Sequence, residues 1–248
     1  MNSNTQKTVW IVGASFGLGY ETAVKYHELG WHVIISGRSE DKLTAMKSEY
    51  NNMTVCVLDL VNSESVDQAI KQVFKHAIDL MILNAGEYEL TPSLENKIET
   101  FTKIMNINFM AHVELINKSV SYLLNQNNKS TICLVGSMAA IIGLPNASAY
   151  CASKAAMRSY AQTLYFDFKD THIDVKLITP GFVKTRLTDK NTFKMPMMVS
   201  ADFAADQIIK ANASNKFETV FPKRFYWVMT YLSWLPMHKA AKQLMKQA

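Results

Sequence analysis

Cysteine is scarce and scattered. The 248 residues contain three, Cys56, Cys133 and Cys151, with none of the spacings that bind metal or cycle as a redox pair. Cys56 and Cys133 fall in apolar runs that read as buried strands, so reduced core thiols of a cytoplasmic protein are expected. The six histidines form no ligand cluster, which argues against a metal site. Long hydrophobic runs are missing too. The apolar centre of the C-terminal stretch, "FYWVMTYLSWLPM", is 13 residues, broken by Pro236, and too short to span a bilayer. The polar start "MNSNTQKTVW" leads directly into a strand and is read as neither signal peptide nor anchor.

Acid is absent after Glu218. All 21 acidic residues lie at or before it, and Lys223, Arg224, Lys239, Lys242 and Lys246 follow. The whole net charge of +5 therefore belongs to the last thirty residues, and the rest balances at 21 against 21. A balanced body argues against nucleic-acid binding and sets the tail apart. No internal repeat, low-complexity stretch or linker interrupts the chain.

Present instead are short apolar runs rich in β-branched residues, alternating with stretches of helical period. Strands are expected at 8–13, 32–36, 54–59, 78–83, 131–136, 173–179 and 218–221. Helices are expected at about 17–29, 39–50, 62–77, 95–126, 149–169 and 201–214. Strands apolar on both faces, alternating with helices, predict an α/β chain: one doubly wound Rossmann-type domain with a parallel sheet of about seven strands and helices on both faces. The domain is read as 1–221 and the basic, aromatic-rich extension as 222–248. In such a sheet ligands bind at the carboxyl ends of the strands, near the topological switch point.

The first strand end carries Gly13, Gly17 and Gly19, with Ser15, Phe16 and Leu18 between them. Glycines there allow a tight turn and close approach of a pyrophosphate to the N-terminus of the next helix. At the second strand end Gly37 stands where an NAD-selective site has an acid, and Arg38 follows. A guanidinium can hold a 2′-phosphate with two hydrogen bonds, which predicts NADP(H) in preference to NAD(H).

Two Tyr-x-x-x-Lys pairs occur, Tyr150/Lys154 and Tyr165/Lys169. The chain has ten tyrosines and, after its four arginines are set aside from 26 basic residues, 22 lysines, so chance placement supplies roughly one such pair. The spacing alone is uninformative. Ser137 distinguishes the first pair: it ends a strand thirteen residues before Tyr150, whereas the residue thirteen before Tyr165 is Ala152, inside the same helix.

With the glycine turn, the segments "LDL" (58–60), "LNAG" (83–86), "NINFMA" (106–111), "VGSMAA" (135–140), "YCASK" (150–154) and "PGFVKT" (180–185) stand in the order and rough spacing of one family. Over residues 7–221 the chain resembles the short-chain dehydrogenases/reductases. The resemblance implies an NAD(P)-dependent oxidoreductase interconverting a small-molecule carbonyl and alcohol, in a homo-dimer or homo-tetramer. It implies cofactor contacts from Asp59 and Leu60, from Asn84, Ala85 and Gly86, and from Pro180, Gly181, Val183 and Thr185. It makes Tyr150 the proton donor, with Ser137 on the substrate oxygen. Lys154 holds the ribose and, by its charge, draws the phenol of Tyr150 towards neutral pH. Asn108 fixes a water beside Lys154, with Asn106 as a rival. Val12 departs from the pattern, because a small hydroxyl residue usually precedes the first glycine.

A substrate lid is expected over 182–200, with Phe193, Met195, Met197 and Met198 making it apolar and Leu144 and Pro145 adding a wall. The tail suits a flap over the cleft, a subunit contact or peripheral contact with a membrane surface. Two other functions remain open at this point: a non-catalytic dinucleotide sensor, and a membrane-surface reductase of lipid or sterol type.

Overall fold

The structure is a computed structural model and describes residues 6–94, 97–188 and 195–245. Its frame is one seven-stranded sheet, β1 (Thr8–Val12), β2 (His32–Gly37), β3 (Met53–Val57), β4 (Leu80–Leu83), β5 (Ser130–Val135), β6 (Ile173–Pro180) and β7 (Glu218–Phe221). The spatial order is β3-β2-β1-β4-β5-β6-β7, every pair parallel. The order reverses between β1 and β4, which puts the switch-point crevice beyond Val12 and Leu83.

Strand periodicity explains the two layers of core. Val9 and Ile11 of β1 face one side and join residues from α1 (Gly17–Glu28), α2 (Glu40–Glu49) and α7 (Ala201–Asn212). Trp10 and Val12 face the other and meet α3 (Ser63–Val73), α5 (Ala111–Leu124) and α6 (Ser148–Asp167). Each aliphatic side chain fully buried in this way contributes roughly 1.5–3 kcal/mol. Inside the core the Trp10 indole donates to Ser36 Oγ at 2.9 Å. Cys56, Cys133 and Cys151 are all buried free thiols. Val12, lacking a hydroxyl, is packed into the second of these layers.

The long helix expected over 95–126 is interrupted. It runs as α4 (Ile98–Met105), a π-helical turn over Asn106–Met110, and α5. The turn buries Asn108 completely and leaves Asn106 exposed. The cause is a tertiary contact: Asn108 Oδ1 accepts from the Glu87 N–H at 2.7 Å while Nδ2 donates to the Glu87 carbonyl at 2.9 Å.

The tail forms α8 (Lys223–Trp234) and α9 (Met237–Leu244). Phe225, Met229 and Leu232, one face of α8, pack with Ala240 against Met138 and Ile142, beside the carboxyl end of β5. Among the described residues no helix is long and apolar enough to cross a membrane.

Candidate active site

The first turn is built by close packing. Gly13 has φ +91°, and a Cβ on it would lie 2.7 Å from the Ala85 backbone. Gly17 has φ +54°, and a Cβ there would lie 2.9 Å from the Thr185 side chain. A Cβ on Gly19 would collide with the Gly13 carbonyl, to which Asn84 Nδ2 also donates at 2.9 Å. Helix α1 starts without a side-chain cap and without acid in its first turn. Its first N–H groups and its dipole are thus available to an anion.

Beyond this turn opens a cleft of about 500 Å³. Gly13, Ser15, Phe16, Gly17 and Leu18 line it from the first strand end; Arg38 from the second; Asp59 and Leu60 from the third; Asn84, Ala85 and Gly86 from the fourth. Pro180, Gly181, Val183 and Thr185 close the opposite wall. Of the residues expected at the cofactor, only Gly19 does not line the cleft: its part is to let α1 approach the turn. These walls fit a dinucleotide: the turn's backbone lies open to the cleft, and a Cβ at Gly13 or Gly17 would force apart Ala85 or Thr185, which line it. Sequence reasoning did not place Arg186 there. Its guanidinium carbon lies 4.4 Å from the Phe16 ring centre, and Lys42 Nζ lies 3.7 Å from the same ring. Phe16 is bracketed by two cations beside Arg38.

A second, apolar pocket of about 100 Å³ adjoins the cleft and shares Ser137, Tyr150, Gly181, Leu187 and Thr188 with it. Tyr88, Leu144, Pro145, Phe182, Phe225 and Met229 are among the hydrophobic residues that line it. Leu144 and Pro145 are where the sequence reading put a wall; the contribution of α8 through Phe225 and Met229 was not specified. Their spacing of four was a legible signal of one helix face. Of the expected lid, Phe193 lies outside the described residues. Met197 and Met198 are exposed, and neither they nor Met195 line this pocket.

Ser137 lies two residues beyond β5 and caps a short turn, accepting from the Ala139 N–H at 3.1 Å. Its side chain faces Tyr150 across the wall that both pockets share and favours ionisation of the phenol. The Tyr88 ring meets Tyr150 edge-on at 5.2 Å. Lys154 is buried, its Nζ donating to the Val135 carbonyl at 3.0 Å and lying 5.8 Å from the Tyr150 ring centre. Asn108 reaches the same place: a Cβ on Gly86 would stand 3.3 Å from its Oδ1 and 3.7 Å from Lys154 Nζ. Asn108 also donates to Ser153 Oγ at 3.2 Å. Tyr165 does not enter the site. It is 41 % exposed and its ring rests against Phe217 at 4.9 Å.

Burial pushes the Tyr150 phenol up to about 12, with Ser137 as the opposing influence. Lys154 shares that dry environment, which lowers it to about 8. His112, one helical turn beyond Asn108, is lowered to about 4, first by burial and then by the Lys154 charge; its Nε2 bonds the Ala85 carbonyl at 2.8 Å.

A glycine-cradled cleft at the switch point that also carries Lys154, joined to a pocket bearing Ser137 and Tyr150, defines a nucleotide-dependent oxidoreductase fold. The family model for short chain dehydrogenases matches residues 7–195. A 3-oxoacyl-acyl-carrier-protein reductase of Rickettsia bellii is 34% identical over 185 residues, 74% of this chain and 76% of that protein. Dehydrogenase/reductase SDR family member 7B of Xenopus laevis is 30% identical over 192 residues, 73% of this chain and 59% of that protein. The fold superposes on a Burkholderia cenocepacia short chain dehydrogenase solved with NADP, at TM-score 0.84, 21% identity, and coverage of 96% and 97% of the two chains. A Burkholderia phymatum relative solved with NAD gives TM-score 0.84, 20% identity, and coverage of 92% and 93%. The chain belongs to the short-chain dehydrogenase/reductase family. It is an NAD(P)-dependent oxidoreductase acting on carbonyl and alcohol groups.

Proposed function

We propose that this chain reduces an apolar carbonyl compound with NADPH, Tyr150 giving the proton to the carbonyl oxygen. The observation that carries the reading is that Ser137 and Tyr150 stand on the wall shared by the nucleotide cleft and the apolar pocket. The nicotinamide, when bound, supplies the hydride. Everything else falls to the chain. The Ser137 hydroxyl donates to the substrate oxygen as negative charge grows there. Tyr150 holds its proton at the phenol oxygen until that oxygen becomes basic enough to take it. Lys154, charged below about pH 8, favours the phenolate left behind. Asn108 positions: with its Nδ2 spent on Glu87 and Ser153, it holds the Gly86–Glu87 backbone beside Lys154.

Arg38 supports the preference for NADPH, as it lines the cleft where an acid would repel a 2′-phosphate. The hydrophobic pocket supports a substrate with an apolar body, and the Rickettsia relatives make β-ketoacyl thioesters one class to test. Reduced buried thiols are in keeping with the cytoplasm, and exposed Ile98, Met110 and Phe166 with a homo-dimer or homo-tetramer. The decisive experiment follows NADPH and NADH oxidation against ketones, aldehydes, quinones and β-ketoacyl thioesters. Faster turnover with NADPH and a rate rising with substrate hydrophobicity are expected. A preference for small polar carbonyls, or for NADH, would overturn the reading.

A further inference from the structure

Helix α8 has two apolar faces, and only one is covered. Phe225, Met229 and Leu232 are buried, at spacings of four and three. Trp227, Tyr231 and Trp234, at the same spacings on the outer face, are 64%, 55% and 76% exposed. Met237, where α9 begins, is 67% exposed. Single exposed hydrophobes are ordinary, but a row of two tryptophans and a tyrosine along one helix is a patch that needs an explanation.

The charge around the row narrows its partner. Lys223 and Arg224 lie at one end of it, Lys239 and Lys242 on α9 beyond the other, all exposed. None of the four is in an ion pair among the described residues. No acid follows Glu218. A second copy of the chain docked face to face would set this patch against itself, cation against cation, because a two-fold contact is isologous. An anionic lipid surface meets both needs: its headgroups attract the lysines, and Trp and Tyr rings settle at the level where headgroup gives way to acyl chain.

We infer that α8 and α9 form a docking surface for an anionic bilayer. The outer row of α8 lies in the interface while its inner row remains the wall of the apolar pocket. The pocket is thereby held one helix thickness from lipid, and the bilayer is the source from which an apolar carbonyl is drawn. This last consequence rests on the proposed substrate class; the docking itself does not.

The test uses the full chain. It is mixed with vesicles of phosphatidylcholine alone or containing about a third phosphatidylserine, then sedimented, with tryptophan emission followed in parallel. Expected are at least about ten-fold more protein on the anionic vesicles and a blue shift of emission, both declining at high salt. Trp227→Ser with Trp234→Ser removes the shift and the binding. Lys239→Glu with Lys242→Glu, a pair of exposed changes that leaves the fold alone, weakens binding at least about ten-fold. NADPH turnover of a water-soluble ketone, measured in the same samples, stays at the parent level. Equal binding to both vesicle types, absence of binding, or undiminished binding of the charge-reversed variant would overturn the inference. So would self-association, lost with the tryptophans, in a chain that ignores vesicles. A parent that binds lipid but reduces no apolar carbonyl leaves the docking intact and sinks only the substrate reading.

Discussion

The ammonium of Lys154 donates to the Val135 carbonyl at 3.0 Å, joining helix α6 to the last residue of strand β5, two residues before Ser137. The bond fixes lysine and serine in one frame, and burial lowers the lysine to about 8. A base with a lowered pKa carries its charge below that value and loses it above. The kcat/KM for carbonyl reduction, which reports the free enzyme, therefore declines above about pH 8. Lys154→Met abolishes this limb and costs about 10²–10⁴-fold in kcat/KM. Steady-state pH profiles of parent and variant check both.

Tyr150→Phe removes the proton and keeps the ring against Tyr88. NADPH binding, followed by its fluorescence, stays within about two-fold, while kcat falls about 10²–10⁴-fold. Tyr165→Phe, 41% exposed and resting on Phe217, leaves kcat unchanged. Equal losses from the two changes would remove the assignment of Tyr150.

Arg38→Ala takes away the expected phosphate contact and lowers kcat/KM with NADPH by about 10–100-fold, with little effect on NADH. The reverse engineering is less simple than the sequence suggests. A Cβ at Gly37 would lie 2.4 Å from Ser15 Oγ, so Gly37→Asp must displace the turn's own hydroxyl. That variant is expected to gain NADH activity only when paired with Ser15→Gly, as a comparison of kcat/KM for both cofactors will show.

His112 is lowered to about 4 from an ordinary value of 6.5. Between these values the unfolded chain binds more protons than the folded one, so stability rises with pH across the window and is lost as pH falls through it. The loss attributable to His112 is about 3 kcal/mol at most. His112→Gln, able still to donate to the Ala85 carbonyl, flattens that part of the acid limb. Urea midpoints at several pH values between about 4 and 7 provide the comparison.

The sheet was readable because its strands are apolar on both faces and each is followed by a turn. All seven strands are found where that pattern predicts, with ends shifted by one or two residues. Ser137 and Tyr150 could be paired from spacing because both lie at the carboxyl side of the sheet. Three features were not readable. The π turn exists because Asn108 grips Glu87, 21 residues away, and "NINFM" alone looks like ordinary helix. The bracketing of Phe16 by Lys42 and Arg186 joins three elements that meet only across the folded cleft. The inner face of α8 shows in its period, but which cavity it covers depends on where the tail folds back.

The π turn at Asn106–Met110 also sets the phase of the helix that carries it. One additional residue in a turn rotates everything after it by about 100° relative to an uninterrupted α-helix. Ile104 before the turn and Leu115 and Ile116 after it are all fully buried, on a helix whose two halves would otherwise aim them differently. Deleting one residue between 106 and 110 would therefore act as a twist more than a shortening. It would swing the hydrophobic stripe of α5 a quarter turn out of the core and withdraw Asn108 from Lys154 in the same stroke, so that packing and site geometry are inherited together from a single extra residue.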